Sequence, residues 1–148
     1  MAVKVLELHH HGIRIGPGEA DLKKALHFYR DVLGLQVDEG RPEIRGVPGY
    51  WVYVGDTAQI HLMGAAGLSP AAKGQGMDPT ITHVALAVPD VQEAKKELDR
   101  LGAKYWTIQG LVGEYEQIFL YDPFGNMVEL HQIGTCRCVR PSASPAGG

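Results

Sequence analysis

The sequence predicts an α+β domain built from two copies of a β-α-β-β-β unit. Three observations carry this. The stretch Leu8-His9-His10-His11-Gly12-Ile13-Arg14-Ile15 returns in the second half as Thr82-His83-Val84-Ala85-Leu86-Ala87-Val88. Each copy is followed by a helical pattern that ends on glycine. Each unit then closes on a short alternating strand, Gln59-Ile60-His61-Leu62-Met63 in the first and Met127-Val128-Glu129-Leu130-His131 in the second.

Alternate side chains of a strand share a face. In the first strand His11, Ile13 and Ile15 therefore point one way and His10, Gly12 and Arg14 the other. Gly16-Pro17-Gly18 breaks the pattern, and the acidic Glu19 and Asp21 suit the start of a helix. Leu22, Ala25, Leu26, Tyr29, Val32 and Leu33 form its apolar stripe, with Gly34 at its end. A short strand is expected over 35–38. Another follows over 50–54, with Val52 and Val54 on one face and Trp51 and Tyr53 on the other. Residues 64–79 are rich in Gly, Ala and Pro and read as a linker. The second unit repeats the plan. It has a strand over 81–88, then a helix from near Asp90 with Val91, Ala94, Leu98 and Leu101 on one stripe and Gly102 at its end. Strands over 103–109 and 116–121 follow, and the turn Asp122-Pro123-Phe124-Gly125-Asn126 leads into the last strand. The expected boundaries are a single domain over 4–134, with module 1 at about 4–64, a linker at 65–79 and module 2 at 80–134. A flexible tail is expected over 135–148.

At 148 residues and 45% hydrophobic content the chain suits one core and one domain. A net charge of −3 with interspersed signs leaves no basic stripe for nucleic acid and no polybasic membrane anchor. The partner to expect is a small molecule. The opening residues run into strand pattern without the succession of a signal peptide, so the expected location is cytoplasmic. The two cysteines, Cys136 and Cys138, read as reduced thiols of a solvated tail.

Laid on one another, the two units place His10, His61, His83 and Glu129 at equivalent points, each opposite the aliphatic face of its strand. Any one of these histidines alone reads as an ordinary hydrogen-bonded strand residue. The duplicated register makes the set read as ligands for one divalent ion per site, with Zn²⁺, Ni²⁺, Co²⁺, Mn²⁺ and Fe²⁺ all suited to imidazole and carboxylate. Trp51, Tyr53, Phe119, Tyr121 and His131 fall where they line a cavity next to that set, although strand packing explains the aromatic residues as well.

The stretches Leu-His-His-His-Gly-Ile-Arg-Ile, Ala-Leu-His-Phe-Tyr-Arg-Asp-Val-Leu-Gly-Leu, Gln-Ile-His-Leu, Ile-Thr-His-Val-Ala-Leu-Ala-Val and Asp-Pro-Phe-Gly-Asn-Met-Val-Glu-Leu closely resemble the vicinal oxygen chelate superfamily, which includes glyoxalase I, methylmalonyl-CoA epimerase, extradiol dioxygenases and bleomycin resistance proteins. The resemblance implies paired β-α-β-β-β modules in a cupped mixed sheet around a divalent metal. It makes His10, His83 and Glu129 ligands. At His61 the chain departs from the glutamate of glyoxalase I and the glutamine of the epimerase. Arg14 matches a glyoxalase I arginine that holds a substrate carboxylate, and a structural ion pair is its alternative.

The expected function is a metal-dependent lyase or isomerase of glyoxalase type. In it the ion binds vicinal substrate oxygens and stabilises an enediolate, with Glu129 as base and His61 assisting. The alternatives are an Fe(II) ring-cleaving dioxygenase using His10, His83 and Glu129, or a drug-sequestering protein like the bleomycin resistance proteins. A homodimer is expected because each module leaves open strand edges.

Overall fold

The computed structural model describes residues 2–111 and 113–140. Among them are seven strands: β1 (Glu7–Ile15), β2 (Gly49–Val54), β3 (Ala58–Gly64), β4 (His83–Val88), β5 (Trp106–Gln109), β6 (Glu116–Tyr121) and β7 (Met127–Gln132). They form one mixed sheet in the order β2-β3-β1-β4-β7-β6-β5. Within each half the first strand pairs in parallel with the last, β1 with β3 and β4 with β7. The halves meet where β1 and β4 pair antiparallel, with Gly12 opposite His83. Both modules therefore lie side by side within one chain.

The second half keeps the expected order of elements, although the strand expected over 103–109 is confined to Trp106–Gln109. Its helix α2 (Val91–Leu101) starts at Asp90, whose side chain accepts from the Glu93 N–H at 2.9 Å, and stops at Gly102 in a left-handed conformation, φ 68°. Its buried stripe, Val91, Ala94 and Leu98, packs on Val88, Ile118 and Leu130 to form the main apolar cluster. The first half departs in two ways. Residues 35–38 make only the single bridge Val37 to Val52, flanked by hydrogen bonds from Asp38 N to Trp51 O and from Tyr53 N to Gln36 O. Asp38 is drawn into side-chain bonds instead of a ladder. The first helix, α1 (Glu19–Leu26), passes into a π-helical segment over His27–Val32, and neither buries a residue fully. A π turn shifts the register of everything after it, so Val32 and Leu33 leave the stripe that Leu22 and Leu26 begin. No helix among the described residues is long and apolar enough to cross a membrane.

The face of the sheet opposite α2 is lined by polar and aromatic side chains. It carries His10, Trp51, Gln59, His61, His83, Gln117, Phe119, Glu129 and His131, all buried, with the small Gly12, Ala85 and Ala87 among them. Residues 135–140 fold back onto this face; the rest of the expected tail, 141–148, lies outside the described residues. Arg137 donates through Nε and Nη2 to Asp38 at 3.0 and 2.9 Å. The Arg140 N–H donates to Asp56 O at 2.8 Å, and its guanidinium lies 4.8 Å from the Tyr53 ring centre. Cys136 and Cys138 are paired as a disulfide rather than reduced, and Cys138 is fully buried. The segment lacks an apolar stripe. What seats it is an ion pair with a distant buried carboxylate, which composition does not reveal.

Burial opposes ionisation of Asp38, but hydrogen bonds from Arg137, Gln59 and the Gly40 N–H outweigh it and lower its pKa from 3.8 to about 2. A lowered folded-state pKa stabilises above the unfolded value and is lost as pH falls through the folded one. The clamp therefore contributes on the order of 2 kcal/mol above about pH 4 and loses it on approach to pH 2. Arg137→Ala is expected to move release of residues 135–140 to higher pH, followed by amide exchange. Identical acid profiles for the variant and the unaltered chain would contradict the clamp.

Candidate metal centre

Strand register builds the centre. Reading across the sheet, Gln59 pairs with His10, His10 with Ala85, Ala85 with Glu129, and Glu129 with Phe119. Neighbouring strands are about 4.8 Å apart. With only the Ala85 methyl between them, His10 and Glu129 reach over it until Nε2 and Oε2 are 3.0 Å apart. The adjacent row reads His61, Gly12, His83. A Cβ on Gly12 would stand 2.5 Å from Cε1 of His83 and 2.8 Å from Cε of Met63, so glycine there leaves the space that His83 fills. Nε2 of His83 lies 3.1 Å from the same Oε2 of Glu129.

The hydrogen bonds behind these groups set their orientation. Nδ1 of His83 donates to the Ile81 carbonyl at 2.6 Å, which turns Nε2 toward Glu129, as an outer partner does for a metal-ligating histidine. The second oxygen of Glu129 accepts from Gln117 and lies 3.3 Å from Nδ1 of His131. Burial works against the Glu129 anion. The charge interaction with His10 and the bonds from His10, His131 and His83 overcome it and hold the pKa well below the usual range. Burial lowers the pKa of His10 and, with the neighbouring His10, lowers that of His61 further. At His83 burial also lowers, but the Glu129 hydrogen bond and charge win and the pKa is raised.

A divalent ion fits this donor set. Ligands about 2.1 Å from an ion and at right angles to one another are about 3.0 Å apart. The two nitrogen-to-oxygen separations in the trio, 3.0 and 3.1 Å, match that edge. His10, His83 and Glu129 are buried and bring their ligand atoms together. His61 does not join them. Its ring is stacked between Trp51 at 4.1 Å and His10 at 3.8 Å, and its ligand atom groups with those of His10, Cys136 and Cys138. Asp38, an acceptor, takes the Gln59 Nε2 proton at 3.0 Å, so Gln59 Oε1 must accept from Nε2 of His61 at 2.8 Å. The lone pair of His61 is therefore on Nδ1.

The trio lines a pocket with about 50 Å³ of enclosed free space. Trp51, Phe119 and His131 line it, together with Val47, Met63, Leu111 and Gln117. Arg14, Tyr53 and Tyr121 do not. Arg14 donates from Nη2 to Asp78 at 3.1 Å and to Thr80 at 2.7 Å, which is the structural alternative for this residue. Tyr53 is buried under Arg140, and Tyr121 donates to Gly76 O at 2.7 Å from a half-exposed position. Gln117 and Gln59 went unnoticed in the sequence. The alternation that places Phe119 on the cavity face places Gln117 there too, and Gln59 shares the face of His61. A bulge between Leu8 and His10 also turns His9 inward, edge-on to His131 at 5.4 Å.

Glu129→Ala is expected to abolish divalent-ion binding, measured by metal analysis of purified protein, and a normal metal content would sink the assignment. Arg14→Ala is expected to keep the ion and to cost about 1–3 kcal/mol in thermal denaturation, because Asp78 stays buried with one donor fewer.

The chain is similar to known proteins along most of its length. The family model of the Glyoxalase/Bleomycin resistance protein/Dioxygenase superfamily matches residues 10–130. Mitochondrial methylmalonyl-CoA epimerase of Mus musculus is 33% identical over 123 residues, covering 76% of this chain and 67% of that protein. The crystal structure of methylmalonyl-CoA epimerase from Mycobacterium tuberculosis shares the fold with a TM-score of 0.65 at 22% identity, covering 89% of this chain and 91% of that one. A variant of the Streptomyces coelicolor epimerase, in complex with 2-nitronate-propionyl-CoA, gives 0.65 at 20% identity, with 87% and 98% covered. The chain belongs to the glyoxalase/bleomycin resistance protein/dioxygenase superfamily.

Proposed function

We propose that the chain is a divalent-metal-dependent isomerase that moves a proton on the carbon next to a carbonyl of a small molecule. The observation that supports this best is the single Glu129 oxygen shared by His10 and His83, one from each module, at the base of an aromatic-walled cavity. An ion held by these three residues supplies Lewis acidity toward a substrate oxygen. Glu129 has both oxygens engaged, so its role is that of ligand and it takes a proton only on leaving those partners. His61 is better placed as acceptor. Burial keeps it unprotonated, the rings of Trp51 and His10 fix its plane, and Gln59 leaves Nδ1 with the lone pair.

Likeness to the epimerases makes an acyl-CoA thioester with an acidic α-hydrogen the substrate class to test first, ahead of the glutathione hemithioacetal of a glyoxalase. Methylmalonyl-CoA is expected to take up solvent deuterium at its α-carbon with the metal-loaded chain, read by mass spectrometry. His61→Ala is expected to slow exchange about 10²–10⁴-fold, the usual loss of a general base, with metal content unchanged. Exchange at the unaltered rate would remove His61 from the mechanism. Exchange of neither thioester nor hemithioacetal would overturn the isomerase reading.

A second reading gains from the position of His61. With that residue outside the trio, His10, His83 and Glu129 alone form the two-histidine, one-carboxylate set of an Fe(II) ring-cleaving dioxygenase. Oxygen uptake by the iron-loaded chain with a catechol would favour it. The half-exposed Phe28, Val32 and Leu33 support a homodimer, since they need a partner surface for burial.

A further inference from the structure

We propose a second, soft-metal site made by Cys136, Cys138, His61 and Nδ1 of His10, which takes a thiophilic cation such as Zn²⁺, Cd²⁺ or Cu⁺ when the cysteine pair is reduced. The four ligand atoms lie within 4.8 Å of one another. Nδ1 of His10 is 3.6 Å from the Cys138 sulfur and 3.9 Å from that of Cys136. In a tetrahedral site with metal–nitrogen and metal–sulfur bonds near 2.0 and 2.3 Å, the nitrogen-to-sulfur edge is about 3.6 Å. Two thiolates and two imidazoles are the donor set that selects Zn²⁺-like and Cu⁺-like ions over the harder ions that suit carboxylates.

The surroundings present these groups together. Nε2 of His10 lies 3.0 Å from Glu129 and Nδ1 faces the sulfurs, so in the tautomer protonated toward the carboxylate Nδ1 carries the lone pair. His10 therefore serves one site at a time, because a neutral imidazole has a single lone pair: an ion on Nδ1 leaves Nε2 protonated toward Glu129 and not a ligand of the trio. Arg137, between the two cysteines, is tied to buried Asp38 by two hydrogen bonds, which anchors the cysteine segment at its middle. The Cys138 N–H lies 3.1 Å from the Cys136 sulfur, a donor that favours its thiolate. Cys136 lines the cavity and gives an ion a way in.

In the structure the two sulfurs are joined. A dithiol reductant breaks that bond: the pair takes up two electrons and two protons to become two thiols, and the reductant is oxidised to its own disulfide. A cation then displaces the two thiol protons. The oxidised chain has no thiolate to offer, so the site exists only in the reduced state.

The test titrates Cd²⁺ into the full chain, reduced with a dithiol that is then removed without air. A thiolate-to-cadmium charge-transfer absorption is expected to saturate at about one equivalent and to be absent from the disulfide form. This band reports sulfur ligation and is independent of whether the chain is an isomerase; an ion on His10, His83 and Glu129 does not produce it. Cys136→Ser with Cys138→Ser should remove the band, and His61→Ala should weaken Cd²⁺ by more than about tenfold, the loss that even an outer partner causes. No band in the reduced chain overturns the proposal. So does unchanged affinity in both His61→Ala and His10→Ala, which would place the ion on the thiols away from the rings. If the cysteine variants do not fold, the reduced and oxidised forms of the unaltered chain carry the comparison alone.

Discussion

The Glu129 carboxylate, fully buried and held by imidazoles from both modules, is the interaction on which the rest of the molecule depends. A buried anion without partners costs several kcal/mol, so the sheet must bring its partners to it. The pairing of β1 with β4 does this by placing Ala85 and Gly12 between the functional side chains. A slip of one residue in that pairing turns His10 to the α2 side of the sheet and leaves Glu129 with one histidine fewer. Small residues at the junction are therefore as much part of the centre as the ligands.

A second chain of bonds runs from the surface inward, from Arg137 through Asp38 and Gln59 to His61. Each link fixes the next, because a carboxylate only accepts and an amide has one accepting end. The result is a chosen tautomer on a ring already stacked between Trp51 and His10. The chain's last described segment thereby supports a group near the cavity floor and carries the Cys136–Cys138 pair to His10.

The modules are unequal despite their common plan. The second seats its helix with a capped start and a buried stripe, whereas the first interrupts its helix with a π turn and leaves Phe28, Val32 and Leu33 half exposed. The face that carries the candidate metal centre draws on both modules, with His10 and His61 from the first and His83 and Glu129 from the second.

The sequence by itself determined the repeat, the alternation of faces and four candidate ligands, His10, His61, His83 and Glu129, of which His61 stands apart from the other three in the fold. Each follows from local spacing: period two puts His10, His83 and Glu129 opposite aliphatic neighbours, and duplication puts them in register. The α2 stripe and its caps at Asp90 and Gly102 were likewise readable, because they lie within a few residues of what they bind. Tertiary structure decided what rests on distant partners. It drew Arg14 to Asp78, moved His61 out of the trio through two ring stacks, and seated 135–140 through Arg137 on Asp38. None of these has a periodic signature. Each depends on which buried group remains unsatisfied once the sheet has formed, and only the assembled fold specifies that.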